Sequence, residues 1–475
     1  MTVANLTVVA LAAFDGLAIV AALPSITDDL GNVALVPWVI TAFLATSAIA
    51  GIMAGPIIDA VGVRRTFRVT GIWFLATSLA VAASPNLPLL VVARALQGIG
   101  GGLVIAVALT AVGLAYPARL RPAAFAANSL VWGVMGFGGP VVVAGLLAVG
   151  SWRLVFIVQV PLTAIALVMG WRTLPSTRDR PAKIRFDAVG VALITGLVVT
   201  SLLAVAQVGE RWWLGAVLVA GSIALAAAYW RHSERVDDPV LVRPHLMRFP
   251  LNRVHVTSGL VLVAGLAADN YLPLYVRTVR GWSESAAAFS VLFLTVGWTV
   301  GAVATSRLLK QRAEPDLIVV GSLVLVPGVG IAAVAVAQSW SLVVLFGGFT
   351  FVGLGIGFVS TSGLTLLQAS SSADEMGRTN SAHQFIRTLC ITYGVAVGGA
   401  ILLFVVDQRS GDVETVRELL SGDGAAVNAD TVDGIRDGFV AVHVFSVLVA
   451  IACVWAATTL YRQSRRTAPA VDPAP

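Results

Sequence analysis

Charged residues are scarce in this chain, and their scarcity limits the class of protein that it can be. Only 12% of its 475 residues are charged, whereas 57% are hydrophobic, and the mean hydropathy is +0.89. A soluble domain carries about 25% charged residues, which cover its surface. The composition therefore argues against a soluble enzyme, a disordered chain and a secreted disulfide scaffold. It predicts a protein whose surroundings are largely lipid.

Three further absences narrow the function. The two cysteines, Cys390 and Cys453, lie in apolar runs and give no disulfide framework. The sequence has no Gly-rich phosphate loop of the type G-x-x-x-x-G-K-S/T, so ATP hydrolysis by this chain is not expected. His255, His383 and His443 are dispersed, which favours structural roles over metal ligation. We therefore expect no enzyme activity, no metal and no cofactor.

The apolar residues form runs that are long enough to cross a membrane as helices. A helix needs about 20 apolar residues to cross roughly 30 Å of hydrocarbon. Fourteen such runs occur, bounded by charge, proline or glycine. They are 5–25, 36–57, 69–84, 88–115, 122–148, 152–173, 188–207, 212–231, 254–276, 285–309, 316–337, 340–366, 379–406 and 438–461. The predicted fold is an all-α membrane protein with 14 transmembrane helices.

The placement of lysine and arginine predicts the orientation. If the N-terminus is cytoplasmic, 22 of the 31 basic residues fall in cytoplasmic segments and 7 in external ones. This asymmetry follows the positive-inside rule and predicts a cytoplasmic (inner) membrane protein with both termini in the cytoplasm. The longest extramembrane segment, about 407–438, is then external. Because the basic residues lie in short loops rather than on one soluble face, we expect the lipid bilayer as a partner, and no nucleic acid.

The first six and the last six spans echo each other weakly. Gly98–Leu103 corresponds to Gly353–Phe358, and Asn128 to Gln384, at a separation near 255 residues. Such repeats are typical of transporters built from two halves, although Gly-rich membrane helices also resemble one another because small residues permit close packing. We predict an N-terminal six-helix bundle over 1–175, an inserted helix pair with cytoplasmic linkers over 176–250 and a C-terminal six-helix bundle over 251–475.

A motif between spans two and three carries a family resemblance. The segment Gly55–Arg65 resembles the G-x-L-x-D-x-x-G-R-R/K-x loop of the major facilitator superfamily. The resemblance implies a cytoplasmic latch that holds the outward-open state, with Asp59 facing the positive end of a helix such as span thirteen. A simple positive-inside loop explains the arginines but not the spaced glycines and aspartate. The gating residues that the resemblance implies are Gly55, Asp59, Gly62, Arg64 and Arg65.

Two further motifs resemble the fourteen-span drug/proton antiporters of that superfamily, which form a multidrug efflux branch. Asp15–Pro24 resembles D-x-T-I-V-N-V-A-L-P, with Leu17 and Ala21 in place of the usual Thr and Asn. Arg94–Gly98 is similar to the R-x-x-Q-G motif. Helical rise places the Asp15 and Arg94 side chains at nearly the same depth in the membrane. We expect this pair to couple transport to protons; the alternative is that Asp15 is a structural, ion-pairing acid.

A fourth motif lies in span five. The segment Gly136–Gly145 resembles the antiporter motif G-x-x-x-G-P-x-x-G-G, with Val143 at a position usually held by glycine. The resemblance implies exchange rather than symport, with gating roles for Gly139, Pro140 and Gly145. Glycine and proline are also simply common in membrane helices.

Polar and aromatic residues within the apolar spans are the candidates for substrate binding. Each can instead be a packing or interfacial residue, since amides and aromatic rings also join helices. Asp269 can bind a cationic substrate or a second proton, or it can face the outer surface. The candidates are Asn128, Trp132, Gln159, Asp269, Tyr271, Trp298, Gln368 and Gln384.

These patterns together predict a monomeric, proton-coupled antiporter that exports small amphiphilic drugs or antibiotics by alternating access. The proton gradient is its energy source. Because few acids are embedded in the spans, neutral or weakly cationic amphiphiles fit better than dications. One alternative is export of a specific lipid or natural product by the same mechanism. Another is a membrane sensor that does not transport.

Overall fold

In the structure, a computed structural model, helices are the only regular secondary structure among the described residues. The structure describes residues 2–31, 35–176, 186–207, 211–421 and 427–467, and no β-strand occurs among them. Short 3-10 helices lie at Ala118–Leu120, Phe289–Val291 and Ala373–Glu375. The α-helices of the described residues are α1 (Thr2–Leu30), α2 (Val36–Val61), α3 (Val63–Ala82), α4 (Leu87–Ala115), α5 (Arg121–Val149), α6 (Arg153–Ile157), α7 (Gln159–Thr173), α8 (Ala188–Ala206), α9 (Trp212–Ser233), α10 (Arg243–Met247), α11 (Leu251–Asp269), α12 (Leu272–Thr278), α13 (Glu284–Ala288), α14 (Leu292–Leu308), α15 (Glu314–Ala337), α16 (Leu342–Ala369), α17 (Met376–Ser410), α18 (Val413–Ser421) and α19 (Ala429–Thr467).

Among the described residues, 11 helices or joined helix pairs are long and apolar enough to cross a membrane. The count rises to 12 if the bent helix α5 is one span. The remaining two predicted spans coincide with α1 and α3, which are helical but do not meet the same test of length and apolarity. An all-helical membrane fold is therefore confirmed, and the number of 14 spans stays a prediction.

The predicted external segment contains helices. Within 407–438 the structure has α18 and the first turns of α19. Val416 and Leu419, three positions apart on α18, are buried, so this short helix has an apolar face to pack. The apolar face was not predicted, because the segment as a whole is polar.

The described helices form two compact units. The first comprises Met1–Val191, His232–Leu246 and Leu367–Phe385, and the second comprises Ala192–Arg231, Met247–Leu366 and Ile386–Pro475. These boundaries follow contacts rather than sequence order, and the predicted division at 175 and 250 stays a prediction. The arginines at 178, 180 and 185 and Lys183, counted in the charge asymmetry, lie outside the described residues.

The surface agrees with a lipid environment. Large apolar side chains are exposed on many helices, among them Val168, Val343 and Leu448. Inside the first unit, Phe14, Trp152 and Phe156 belong to one buried apolar cluster. A second cluster in that unit surrounds Phe67 and Val104. Apolar residues therefore occupy both the interior and the exterior, as a membrane protein requires.

Candidate coupling and gating sites

A buried acid and a buried arginine meet within the first unit. Asp15 on α1 is 1% exposed, and Arg94 on α4 is 0% exposed. The Nη1 atom of Arg94 donates to both carboxylate oxygens of Asp15, at 3.0 and 3.1 Å. The two residues that the antiporter motifs indicated are therefore in direct contact.

Two glutamines complete this group. The Nε2 atom of Gln159 on α7 donates to Asp15 at 3.1 Å, and Oε1 of Gln97 accepts from Arg94 at 2.7 Å. Gln97 also donates to the hydroxyl of Ser78 on α3 at 2.9 Å. We call Asp15, Arg94, Gln97 and Gln159 the coupling group. Gln159, a candidate for substrate binding, is thus a neighbour of the acid.

The packing around Arg94 explains how the charge is kept in an apolar interior. Its guanidinium lies 4.1 Å from the centroid of the Phe43 ring on α2, and its Nε donates to the carbonyl of Val39 at 3.3 Å. Its Nη2 has no hydrogen-bond partner among the described residues. Removing one member of a buried ion pair typically costs about 3–5 kcal/mol, because the other charge is left uncompensated. The two residues therefore depend on each other.

A small cavity lies beside the acid. Its volume is about 40 Å³, and residues of α1, α2, α3 and α4 line it, including Asp15, Phe43 and Ser47. A buried water needs roughly 10–15 Å³ of such space and two or more polar partners. The cavity therefore has room for water near the carboxylate.

The loop motif of the first unit contacts the start of α17. Asp59, near the C-terminus of α2, accepts backbone hydrogen bonds from Gly377 and Arg378, both at 2.9 Å. Backbone N–H groups in the first turn of a helix have no partner within the helix, and the helix dipole is positive there. The carboxylate of Asp59 therefore caps a helix that is more than 300 residues away in the sequence.

Two glycines allow this close approach. A Cβ atom on Gly55 would lie 2.6 Å from the Cα of Arg378, and one on Gly377 would lie 2.4 Å from Oδ1 of Asp59. Neither distance is compatible with a real side chain, because carbon atoms in contact are normally about 3.5–4.0 Å apart. The first glycine of the motif is thus explained by packing.

Arg378 also joins Asp59 to a second acid. Its Nε lies 3.9 Å from Asp59, and its Nη2 donates to Asp238. Asp238 lies between α9 and α10, in the segment that follows the inserted helix pair. We call Asp59, Arg378 and Asp238 the latch. Asp238 was not predicted from the sequence, since no motif marks the segment in which it lies.

A buried aspartate anchors the same segment. Asp187 lies 2.6 Å from Nε2 of His232 and accepts from the backbone amides of Gly190, at 2.8 Å, and Val240, at 3.1 Å. Burial alone would raise the pKa of Asp187, but the hydrogen bonds, that of His232 first, hold it below its usual value. The chain that carries Asp238 is therefore fixed two residues further on, at Val240.

The rest of the loop motif has structural explanations. Gly62 has a φ of 89°, a left-handed conformation that glycine adopts readily, and it separates α2 from α3. Arg64 donates to the carbonyls of Leu174, at 2.6 Å, and Arg172, at 3.3 Å, which ties the loop to the end of α7. Arg65 is exposed.

The span-five motif forms a bent helix. The axis of α5 turns by 40° between Ala118–Gly136 and Gly138–Val149. Pro140 lacks the N–H that would bond to the carbonyl four residues earlier, at Gly136, which places the bend there. Gly139 is buried and Pro140 exposed, whereas a Cβ on Gly145 would meet nothing within 4 Å. Val143, which replaces a usual glycine, is 0% exposed within the apolar cluster of Trp152.

The other candidates for substrate binding in the first unit differ in their partners and their burial. Asn128 accepts from Asn5 at 3.1 Å, and Gln368 donates to the carbonyl of Leu109 at 3.0 Å. Both amides therefore join segments of the chain. Trp132 is 44% exposed, and Gln384 is half-buried. Their roles in binding stay predictions.

In the second unit, the three candidates have different surroundings. The hydroxyl of Tyr271 donates to the carbonyl of Val395 at 2.8 Å. Asp269 is 9% exposed, and its Oδ1 has no hydrogen-bond partner among the described residues. Trp298 lies next to Arg387, whose guanidinium is 5.9 Å from the ring centroid. Arg387 is a further charged residue within a span, and its position between apolar residues was its only sequence signal.

Comparison with known proteins places these sites in a family. The family model described as "Major Facilitator Superfamily" matches residues 6–395. The chain belongs to this superfamily. Within the described residues, no group of three or more His, Cys, Asp and Glu side chains is arranged to hold a metal ion.

Relatives and solved structures of this family resemble the chain over most of its length. The "Multidrug transporter protein MdtP" of Bacillus subtilis is 26% identical over 85% of this chain and 74% of its own length. The "Probable actinorhodin transporter" of Streptomyces coelicolor is 27% identical over 89% of this chain and 75% of its own. The crystal structure of the human organic anion transporter MFSD10 aligns with a TM-score of 0.64 at 14% identity, covering 96% of this chain and 98% of that chain. The fold of a major facilitator transporter is thereby established.

Proposed function

We propose that this membrane transporter exports small amphiphilic compounds in exchange for protons across the cytoplasmic membrane. The observation that carries the proposal is the coupling group, in which a buried carboxylate and a buried guanidinium are held together by two glutamines. An ionisable pair of this kind is expensive in a membrane protein and is typically retained for transport.

The proton acts at Asp15. When the carboxylate is protonated, it loses its ionic attraction to Arg94, and the guanidinium needs a new partner. Nη2 of Arg94 has no partner among the described residues and can therefore donate to a new one. The adjacent cavity gives the side chain space to move. A proton therefore changes the balance between two arrangements of α1 and α4. Substrate and proton compete because each favours a different arrangement, which makes their coupling reciprocal.

The latch supplies the second element of alternating access. With Asp59 bound to the first turn of α17, the predicted cytoplasmic ends of α2 and α17 are held together. Release of this contact would open the cytoplasmic side. The latch is therefore the gate that the coupling group controls.

The test is Asp15→Asn in purified full-length protein reconstituted into liposomes. Uptake of the xanthene dye tetramethylrosamine under an imposed pH gradient should be abolished, whereas dye exchange without a gradient should continue. Asp28→Asn, the same change at an exposed position of α1, is the matched control and should transport normally. Full gradient-driven transport by Asp15→Asn would refute the coupling role. Absence of proton movement with every ligand tested would instead favour a sensor.

A second candidate function is export of one specific lipid or natural product by the same mechanism. The likeness to a protein named as an actinorhodin transporter favours it. Susceptibility profiling of a deletion strain, combined with lipid analysis of its envelope, separates the two. Broad drug sensitivity supports multidrug export, and accumulation of a single compound supports the alternative.

A further inference from the structure

The second unit contains a positive charge that has no acidic partner among the described residues. Arg387 lies on α17, and its Nη1 is buried without a hydrogen-bond partner among the described residues. Its guanidinium carbon lies 5.9 Å from the centroid of the Trp298 ring, and Cys390 lies one turn further along α17. Arg94, the other arginine within a predicted span, has Asp15 at 3.0 Å. Arg94 is therefore paired with an acid, whereas Arg387 has no acidic partner among the described residues.

The register of α11 against α17 shows that Asp269 does not compensate this charge. The two helices run side by side in the same direction through three close contacts: Gly259 with Cys390, Val263 with Gly394 and Ala267 with Gly398. Asp269 therefore lies at the level of position 400, about 20 Å along the axis from Arg387 at 1.5 Å per residue. The side chains of Arg387 and Asp269 are too short to span this distance.

The surroundings of Arg387 suit an anionic group with an aromatic body. A guanidinium offers a planar fork of donors that matches a carboxylate, and it also stacks on aromatic rings. Trp298 presents such a ring beside it. Arg387 supplies hydrogen-bond donors and Trp298 supplies a ring surface, but no carboxylate among the described residues accepts from the guanidinium.

We propose that Arg387 and Trp298 bind the acidic group and the adjoining ring of an aromatic amphiphile, such as a carboxylate or a phenolate. The inference rests on the proposed transport function and narrows its substrate class. It departs from the neutral or weakly cationic compounds that the scarcity of acids suggested. Since no acidic side chain among the described residues pairs with Arg387, the cargo supplies the neutralising group.

The experiment compares two dyes that share a xanthene ring and differ in charge. Fluorescein is anionic at neutral pH, and tetramethylrosamine is cationic and lacks the carboxylate. Binding to purified full-length protein in nanodiscs of phosphatidylcholine is followed by fluorescence polarisation. Arg387→Gln should weaken fluorescein binding by about ten-fold or more and leave tetramethylrosamine binding unchanged or tighter, since a charged hydrogen bond is lost. Arg387→Lys should restore only part of the affinity for fluorescein, because the ammonium keeps the charge but lacks the planar donor fork.

Two controls separate this inference from general damage. Arg307→Gln, at an exposed position of α14, removes an equal charge and should not change either affinity. Trp298→Leu should weaken the binding of both dyes, because stacking on the ring does not depend on charge. Equal fluorescein binding by the wild type and Arg387→Gln would overturn the inference, as would wild-type affinity for fluorescein no higher than for tetramethylrosamine. Loss of fluorescein binding when phosphatidylglycerol is added would also overturn it, by assigning the guanidinium to a lipid headgroup.

Equilibrium binding keeps the inference distinct from the coupling proposal. Asp15→Asn, which resembles the protonated acid, should weaken fluorescein binding without abolishing it, because proton and substrate compete in the proposed function. If Asp15→Asn transports normally while Arg387→Gln loses fluorescein, the coupling role fails and the binding site stands. If Asp15→Asn loses transport while Arg387→Gln binds fluorescein normally, the binding site fails and the coupling role stands.

Discussion

A methyl group added at Gly55 should open the latch. In Gly55→Ala the new carbon would lie 2.6 Å from the Cα of Arg378, whereas a normal contact is about 3.5–4.0 Å. The start of α17 must therefore withdraw by about 1 Å. The two 2.9 Å hydrogen bonds from Gly377 and Arg378 to Asp59 would then exceed the range of a normal bond. Hydrogen bonds to a charged group contribute about 1.5–3 kcal/mol each, so losing two should cost about 3 kcal/mol or more.

Hydrogen exchange at the start of α17 measures this loss directly. A change of about 3 kcal/mol corresponds to roughly a hundred-fold fall in protection at the amides of Gly377 and Arg378. Gly51→Ala is the matched control, because it lies one turn earlier on α2 and its Cβ would meet nothing within 4 Å. Unchanged protection in Gly55→Ala would refute the reasoning. An equal loss in Gly51→Ala would show that the effect belongs to α2 as a whole.

Two further predictions concern the segment that follows the inserted helix pair. Asp238→Asn should lower protection at the same amides by about ten-fold or less, because the pair with Arg378 is partly exposed and screened. Glu234→Gln, which breaks an exposed pair with Arg243, should leave the protection unchanged, and equal effects of both changes would contradict a role for Asp238 in the latch. The pKa of Asp187 is lowered in the folded protein, so its stabilisation should be present above about pH 4, the unfolded value, and lost as the pH falls through the folded one. Thermal unfolding from pH 7 downwards should therefore show a deficit for Asp187→Asn that shrinks in acid, and a deficit independent of pH would refute this.

The sequence predicted the parts of the site that depend on motifs and helical spacing. The contact of Asp15 with Arg94 followed from their depths along two helices, and the contact of Asp59 with a helix N-terminus followed from the dipole. Each of these residues lies within a short sequence motif, and each contact involves only one other helix. The family and the helical fold were predictable for the same reason, since apolar length and the spacing of glycines are properties of the sequence.

The remaining partners depend on tertiary packing, which the sequence does not encode locally. Asp238 and Arg378 are in contact although they are 140 positions apart in the sequence, and Asp238 lies in a segment that contains no motif. Gln159 joins Asp15 because α7 packs against α1, although amides in apolar helices are equally suited to line a cavity. The number of spans stays open for a related reason. The helix α3 begins with a basic stretch, so apolarity alone does not define it as a span.

One helix, α2, connects the coupling group to the latch. Val39 and Phe43 contact Arg94 near its start, and Asp59 holds α17 near its end. Between these points α4 packs so tightly that a Cβ on Gly102 would lie 2.1 Å from a carbonyl oxygen of α2. Interfaces packed this closely do not deform continuously, so they shift as units between discrete arrangements. If transport is coupled to protons as proposed, a proton that changes the position of Arg94 would act on the latch through the backbone of α2, so a few embedded charges would control the gate.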